Sequence, residues 1–173
     1  IFHKGASTPF QTIRLRETAI SVEENEKPLF TTIADKRNGK WSSLYLDDLN
    51  FDGTEDLAIP DGMNGGYGGI SYRIYLFDRK RGRFLFSSSF TRLSQGPFFG
   101  VPEVDGKRKT LETFWKSGAG FRAVERYRIQ NNRPRKIYVL EDSLLPDGKR
   151  YITTKKLING KWRVWEKTVK DIN

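Results

Sequence analysis

Cysteine is absent from this 173-residue chain, and histidine occurs once, at His3. The missing thiols exclude disulfides, iron–sulfur clusters and thiolate zinc sites, and leave the cellular compartment open. With no internal imidazole, Ser-His-Asp and Cys-His catalysis are excluded, and so are ordinary zinc centres. No apolar run approaches the roughly 18 residues that a membrane-spanning helix requires. Bases are missing as well, but only locally: between Lys40 and Arg73 there is no Lys or Arg.

That stretch is rich in acid. Asp47, Asp48, Asp52, Glu55, Asp56 and Asp61 lie within it, in a chain of 31 bases and 21 acids overall. Carboxylates so crowded repel one another, and their ionised forms cannot be buried without a counter-charge. The order Asp48-x-Asn50-x-Asp52-Gly53-Thr54-x-Asp56 sets oxygen donors on alternate residues around a glycine turn, which suits Ca2+. The expected ligands are Asp48, Asn50, Asp52, the Thr54 carbonyl and Asp56. An EF-hand would need a bidentate Glu at the twelfth position, where Ile59 stands, and flanking helices. Here Ser43–Leu46 and Leu57–Pro60 read as short apolar strands instead. The expectation is a strand–loop–strand calcium site closed by Asp56. Its alternative is a metal-free network of Asx turns, because Asp and Asn readily hydrogen-bond their own loop. A calcium loop of modest ligand charge needs more calcium than resting cytosol holds, which points to the periplasm or the cell exterior.

The length fits one β domain over residues 1–173, and a start at Ile1 reads as a processed product. Hydrophobic residues make up 36% and aromatics 13%, so Phe, Tyr and Trp must supply much of the core. The net charge of +10 is spread over many segments, with no helix that gathers it on one face, which argues against nucleic acid. An anionic envelope polymer or an acidic protein partner accounts for the charge.

Turn dipeptides recur along the chain, among them Arg81-Gly82, Asp105-Gly106, Asn131-Asn132, Asp147-Gly148 and Asn159-Gly160. Between them lie β-branched and aromatic runs such as Tyr72–Phe77, Arg83–Phe86, Tyr127–Ile129, Lys136–Leu140 and Lys161–Trp165. Thr12–Arg16 alternates in the same way, and no window sustains a helical stripe. The spacing predicts an all-β fold, a compact antiparallel meander. Two architectures fit it: a propeller-like assembly with degenerate blades, or a barrel-like sandwich. Asn38-Gly39-Lys40-Trp41 and Asn159-Gly160-Lys161-Trp162 repeat one hairpin word.

Enzyme chemistry is poorly served, because the acids that cluster belong to the calcium loop; a two-carboxylate glycosidase is what composition leaves open. Binding chemistry is better served. In Asp61–Gly69 five glycines flank Asn64 and Tyr67, so that these side chains can project, or Tyr67 can fold back on the body. A metal at one end would tether this loop. Ser117-Gly118-Ala119-Gly120-Phe121 reads as a hairpin tip, and Tyr151 and Lys155 fall on one face of a strand, about 13 Å apart by strand rise.

The D-x-N-x-D-G-x-x-D loop, the Gly-rich segment, the Tyr-rich strand after it and the Lys116–Phe121 word together resemble a family of Gram-negative envelope proteins. These are periplasmic immunity proteins that neutralise peptidoglycan hydrolases delivered by type IV or type VI secretion, similar in fold to periplasmic lysozyme inhibitors. The resemblance spans about residues 40 to 140. It implies a calcium-binding periplasmic inhibitor, not an enzyme, whose partner is a secreted hydrolase effector. Lysozyme inhibitors of this group plug the hydrolase cleft with an S-G-x-x-Y word and a Y-x-x-x-K word. Ser117 and Gly118 match the first, with Phe121 in place of its Tyr; Tyr151 and Lys155 match the second. The implied contact residues are Asn64, Tyr67, Ser117, Gly118, Tyr151 and Lys155. The alternative function is a calcium-dependent adhesive or glycan-binding module related to integrin-like repeats.

Overall fold

The computed structural model describes Ile1, residues 6–14 and residues 44–170. Among these residues ten strands form two antiparallel sheets. One sheet holds β1 (Tyr45–Asp47), β2 (Asp56–Pro60), β3 (Tyr72–Asp78) and β4 (Arg83–Phe86), in chain order. The other holds β5 (Glu103–Asp105), β6 (Thr110–Ser117), β7 (Phe121–Gln130), β8 (Arg133–Leu144), β9 (Lys149–Ile158) and β10 (Lys161–Lys170). Every neighbouring pair is consecutive and antiparallel, so the predicted all-β meander is what the described residues form. The sheets stay open; neither closes into a barrel.

The predicted turns join the predicted strands for a local reason. Asn131 and Asn132 (φ 51° and 52°) link β7 to β8, and Asn159 and Gly160 (φ 49° and 76°) link β9 to β10. Left-handed backbone at both central residues matches the twist of the flanking strands, and Asn and Gly adopt it cheaply. The related word at Asn38–Trp41 and the lone His3 lie outside the described residues.

The core sits where the two sheets meet. Leu49, Ala58, Tyr72 and Ile74 from the first sheet and its loop pack with Leu111 and Tyr127 of β6 and β7. Phe90, wholly buried, and Leu93 fill the space between them. These two come from a feature the sequence pattern hides: a single α-helical turn, α1 (Ser88–Thr91), running into a 3-10 turn over Arg92–Ser94. Seven residues are too few to show a helical period. Their task is polar as well as apolar. β4 pairs only with Tyr75–Asp78, so the first half of β3 lacks a neighbour on that side. Thr91 Oγ1 accepts from Ile74 N (3.0 Å), and Ser94 Oγ accepts from Tyr72 N (2.9 Å) and lies 2.8 Å from Tyr72 O. Side-chain hydroxyls thus replace a strand.

The free edge of β4 is covered by similar means. Residues 12–14 form no strand, against the alternation read in Thr12–Arg16. Instead the Gln11 side chain acts as one residue of a strand: its amide donates to Phe84 O and its carbonyl accepts from Phe84 N, both at 2.8 Å.

Ser94→Ala leaves the Tyr72 N–H and C=O buried without their hydroxyl partner. Urea unfolding should show a loss of about 1–3 kcal/mol with an unchanged m-value. A loss within error of zero would mean that Tyr72 finds another partner.

Candidate functional site

The acidic loop between β1 and β2 is held by its own side chains. Asp48 accepts from the backbone N–H of Asp52 (3.0 Å) and Gly53 (2.9 Å) with its two oxygens. Asn50 Oδ1 accepts from Asp52 N, and its Nδ2 donates to Asp52 Oδ2 (2.9 Å) and to Asn132 Oδ1 (3.4 Å) in the β7–β8 turn. Asp52 Oδ1 accepts from both the backbone and the hydroxyl of Thr54. Partial burial raises the Asp52 carboxyl, but the bonds from Thr54 and Asn50 outweigh it and leave its pKa below the ordinary value. Gly53 supplies the sharp turn at φ 82°.

Asp56 is the buried member, with no exposed surface. Its Oδ2 accepts from Leu49 N (3.0 Å) and Asn50 N (3.2 Å), and its Oδ1 from Phe77 N (2.9 Å) on β3. Burial pushes its carboxyl up to about 7 against the pull of these donors. Two bases from outside the base-free stretch lean in. Arg79 Nη2 donates to Asp52 O (3.2 Å), and Arg73 pairs with Asp61 at 2.8 Å.

The donors suit a hard cation in kind, since Asp48, Asn50, Asp52 and the Thr54 carbonyl are all oxygen groups around one glycine turn. Their grouping here is that of an Asx-turn network. Among the described residues no three acidic or His side chains gather within reach of one ion. Asp56 points both oxygens at backbone N–H groups, two of them in the loop and one on β3.

The Gly-rich segment is pinned, not floppy. Gly65 N donates to Gly69 O, Gly66 N to Phe98 O and Gly96 N to Asn64 O, at 2.7–2.9 Å. A Cβ on Gly66 would stand 2.5 Å from Pro97 O, so only glycine allows this close approach. Asn64 closes the turn through Nδ2 to Asp61 O (3.0 Å). Tyr67, in left-handed backbone (φ 54°), is thrown outward and is 65% exposed. It does not fold back onto the core. Its hydroxyl accepts from Gly118 N at the β6–β7 hairpin tip, its ring stacks on Phe99 (6.0 Å), and Lys116 Nζ lies 5.6 Å from the ring centroid. Phe99 continues to Phe114 on β6 (5.9 Å), which is itself exposed.

Tyr67, Ser117 and Gly118, half of the contact residues predicted from sequence, therefore meet at one corner. Tyr151 and Lys155 do not join it directly. The pairings Ser117↔Phe121, Phe121↔Ser143 and Ser143↔Tyr151 set Tyr151 in the same cross-strand row as Ser117 and on the same face, three strands away. That is about 14 Å at ordinary strand spacing. Tyr151 is engaged by Glu166, whose carboxylate raises the phenol's pKa, and Lys155 Nζ pairs with Glu141 at 2.9 Å. Phe99 and Lys116 were not singled out from sequence. Lys116 stood inside the quoted word, whereas nothing local marks Phe99.

No protein-family model matches the chain, and comparison with curated proteins finds no match. Among solved structures, a Xanthomonas type IV secretion system related protein is similar in fold. The TM-score is 0.67 at 25% identity over 78% of this chain, which spans 63% of that protein. The fold is thus shared with a secretion-system-related protein. No described helix is long and apolar enough to cross a membrane.

Asp56→Asn keeps the size of the buried group but turns an NH2 toward backbone donors, leaving at least one of them unsatisfied. A loss of about 1–3 kcal/mol in chemical unfolding is expected. An unchanged stability would mean that the three N–H bonds are not what the carboxylate is there to accept.

Proposed function

We propose that this chain is a secretion-system-associated binding protein of the bacterial envelope, periplasmic in location, that blocks a peptidoglycan hydrolase. The observation that carries the reading is the Tyr67–Gly118 corner. An exposed aromatic held by a glycine-tight loop is bonded to the tip of a hairpin from the other sheet. Rigid, projecting aromatics with a cation beside them are the anchors of inhibitor interfaces, because little entropy remains to be lost on binding. The fold similarity to a type IV secretion system related protein supports the same direction. Inhibition would be steric. The corner enters the substrate cleft, and the hairpin N–H groups and the Lys116 ammonium face the carboxylates there, while the Ser117 hydroxyl lies on the opposite side of β6. Lys116 takes the part that sequence alone assigned to Lys155, since Lys155 already has Glu141. The chain itself carries out no hydrolysis in this reading.

Peptidoglycan clearing by the same organism's secreted hydrolases tests it. The purified protein should not clear a suspension alone, and should suppress a cognate hydrolase at near-equal molar ratio. Tyr67→Ala should weaken inhibition about thirtyfold, Lys116→Ala less, and neither should shift the melting temperature appreciably. If no secreted hydrolase is suppressed, or if Tyr67→Ala inhibits as well as the parent, the corner is not the contact.

Calcium belongs to the same proposal. Binding would draw the side chains of Asp48, Asn50 and Asp52 and the Thr54 carbonyl onto one ion, which the all-oxygen donor set favours. Saturating Ca2+ should then raise the melting temperature by mass action, and Asp52→Ala should abolish the rise. No heat in calorimetry, together with a melt unaltered by EDTA, would leave the Asx-turn network as the whole account.

A further inference from the structure

The six-stranded sheet separates its charges by face. Registered partners on antiparallel strands share a face. The pairings Glu112↔Arg126, Arg126↔Tyr138, Tyr138↔Lys156 and Lys156↔Arg163 therefore define one row across five strands. On that face β7 also carries Arg122 and Arg128, β8 carries Arg133 and Arg135, and β9 carries Arg150. β10 adds Lys161 and Lys167. From β7 to β10 its one acid is Asp142, whose two oxygens are taken by Arg122 (2.8 Å) and Arg150 (2.7 Å). The opposite face of the same strands is nearly balanced, with Glu125, Glu141 and Glu166 against Lys136, Lys149, Lys155 and Lys170. The chain's net charge is thus concentrated on one side of one sheet.

At one end of the basic face a groove of about 550 Å3 is lined by Arg108, Arg126, Arg128 and Lys156 around Tyr138, with no acid among the described residues of its wall. Arg108 and Arg126 have carboxylate partners in Asp105 (2.9 Å) and Glu112 (2.5 Å). Arg128 and Lys156 have none among the described residues. Aromatic rings flank two of the four cations, Arg126 and Lys156. Arg126 lies 4.7 Å and Lys156 5.9 Å from the Tyr138 ring centroid, and Lys156 lies 5.8 Å from that of Trp165. A cation held over a ring keeps its formal charge for an anion from outside.

The geometry selects among polyanions. Single-stranded nucleic acid is gripped by bases stacking on open aromatic faces, and Tyr138 is already engaged by two cations. An anionic bilayer presents a flat surface of charge, which cannot enter a groove. A chain bearing carboxylates can enter, and the arginine forks match planar carboxylates in pairs. We infer that this face binds an acidic polysaccharide, seated in the groove through Arg128 and Lys156. The site is separate from the Tyr67 corner, about 20 Å away along β6 by strand rise. It goes beyond the inhibitor reading and can hold or fail without it.

Titration calorimetry of the whole chain with polygalacturonate tests this. Binding at low salt should weaken steadily as salt is added, because each contact releases counterions. Arg128→Glu with Lys156→Glu should weaken it about tenfold or more, and the milder Arg128→Gln with Lys156→Gln should weaken it by less. The glutamine pair decides the matter if the glutamate pair does not fold. Lys149→Glu with Lys170→Glu, the same change of charge on the opposite face, should alter binding by no more than about twofold. The inference is overturned if polygalacturonate does not bind at low salt, or if both charge-reversed pairs lose affinity equally. Tighter binding to phosphatidylglycerol vesicles or to oligothymidylate than to polygalacturonate would also overturn it. Suppression of a hydrolase by the glutamate pair, at the parent's level, is the expected sign that the two surfaces are independent.

Discussion

The Asp56 carboxylate is the contact on which the first sheet depends. It opens β2, and through its two oxygens it holds the β1–β2 loop at Leu49 and Asn50 and the far end of β3 at Phe77. Burying a carboxylate is costly unless its lone pairs are met, and here three backbone N–H groups meet them. Those same N–H groups lie in a loop and at a strand end, where no ladder would satisfy them. Donor and acceptor therefore each need the other, which is why an acid can occupy a fully buried position in a short, otherwise apolar strand. Leu49 is fixed next to it and becomes part of the core between the sheets.

The acidic loop also reaches the second sheet, through Asn50 to Asn132. A second tie runs from Tyr67 to Gly118. The two ties are polar and lie outside the apolar core, so they fix how the loops of one sheet sit against the hairpin turns of the other. This has a bearing on binding. A contact surface made from one loop alone would move with that loop, whereas a surface shared by the Gly-rich segment and the β6–β7 tip is braced by both sheets. The absence of a side chain at Gly66 lets the Gly-rich segment pack against residues 97–99, because any Cβ there would meet Pro97 O.

Local rules made much of this legible. Asn131-Asn132 and Asn159-Gly160 dictate tight left-handed turns, and the runs between them can only be strands. Ser117, Gly118 and Tyr67 could be picked out because a hairpin tip and a glycine-flanked aromatic are local features. What sequence could not show was non-local. Ser94 and Thr91 stand in for a missing strand, and Gln11 covers an edge 73 residues away with one amide. Arg73 and Arg79 supply counter-charge to a stretch that looks base-free in one dimension, because β3 returns beside β2. The acids of the loop read as metal ligands when their alternation is all that is known. The acceptor duties that they also carry, to Asp52, Gly53 and Leu49, emerge only from the folded backbone.

Net charge offers the same lesson in a different form. A value of +10 spread evenly along a chain says little, since antiparallel strands send alternate residues to opposite faces. On β7 the order Arg122, Arg126, Arg128 against Glu125 places bases at even and acid at odd positions, and β10 does the reverse with Arg163 and Lys167 against Glu166. Register then aligns these strands so that the odd bases of one join the even bases of the next. A basic face costs stability through self-repulsion, which its ion pairs with Asp142 and Glu112 and the cation–π contacts of Arg126 and Lys156 offset only in part. On β6 to β8 the opposite face carries Leu111, Ala123, Tyr127 and Val139 into the interior, so packing turns the bases of those strands outward. By contrast, β10 is exposed on both of its faces and still sets Arg163 and Lys167 on the basic side. On β10, where packing imposes neither side and repulsion disfavours this one, the bases extend the face that an anionic partner would meet.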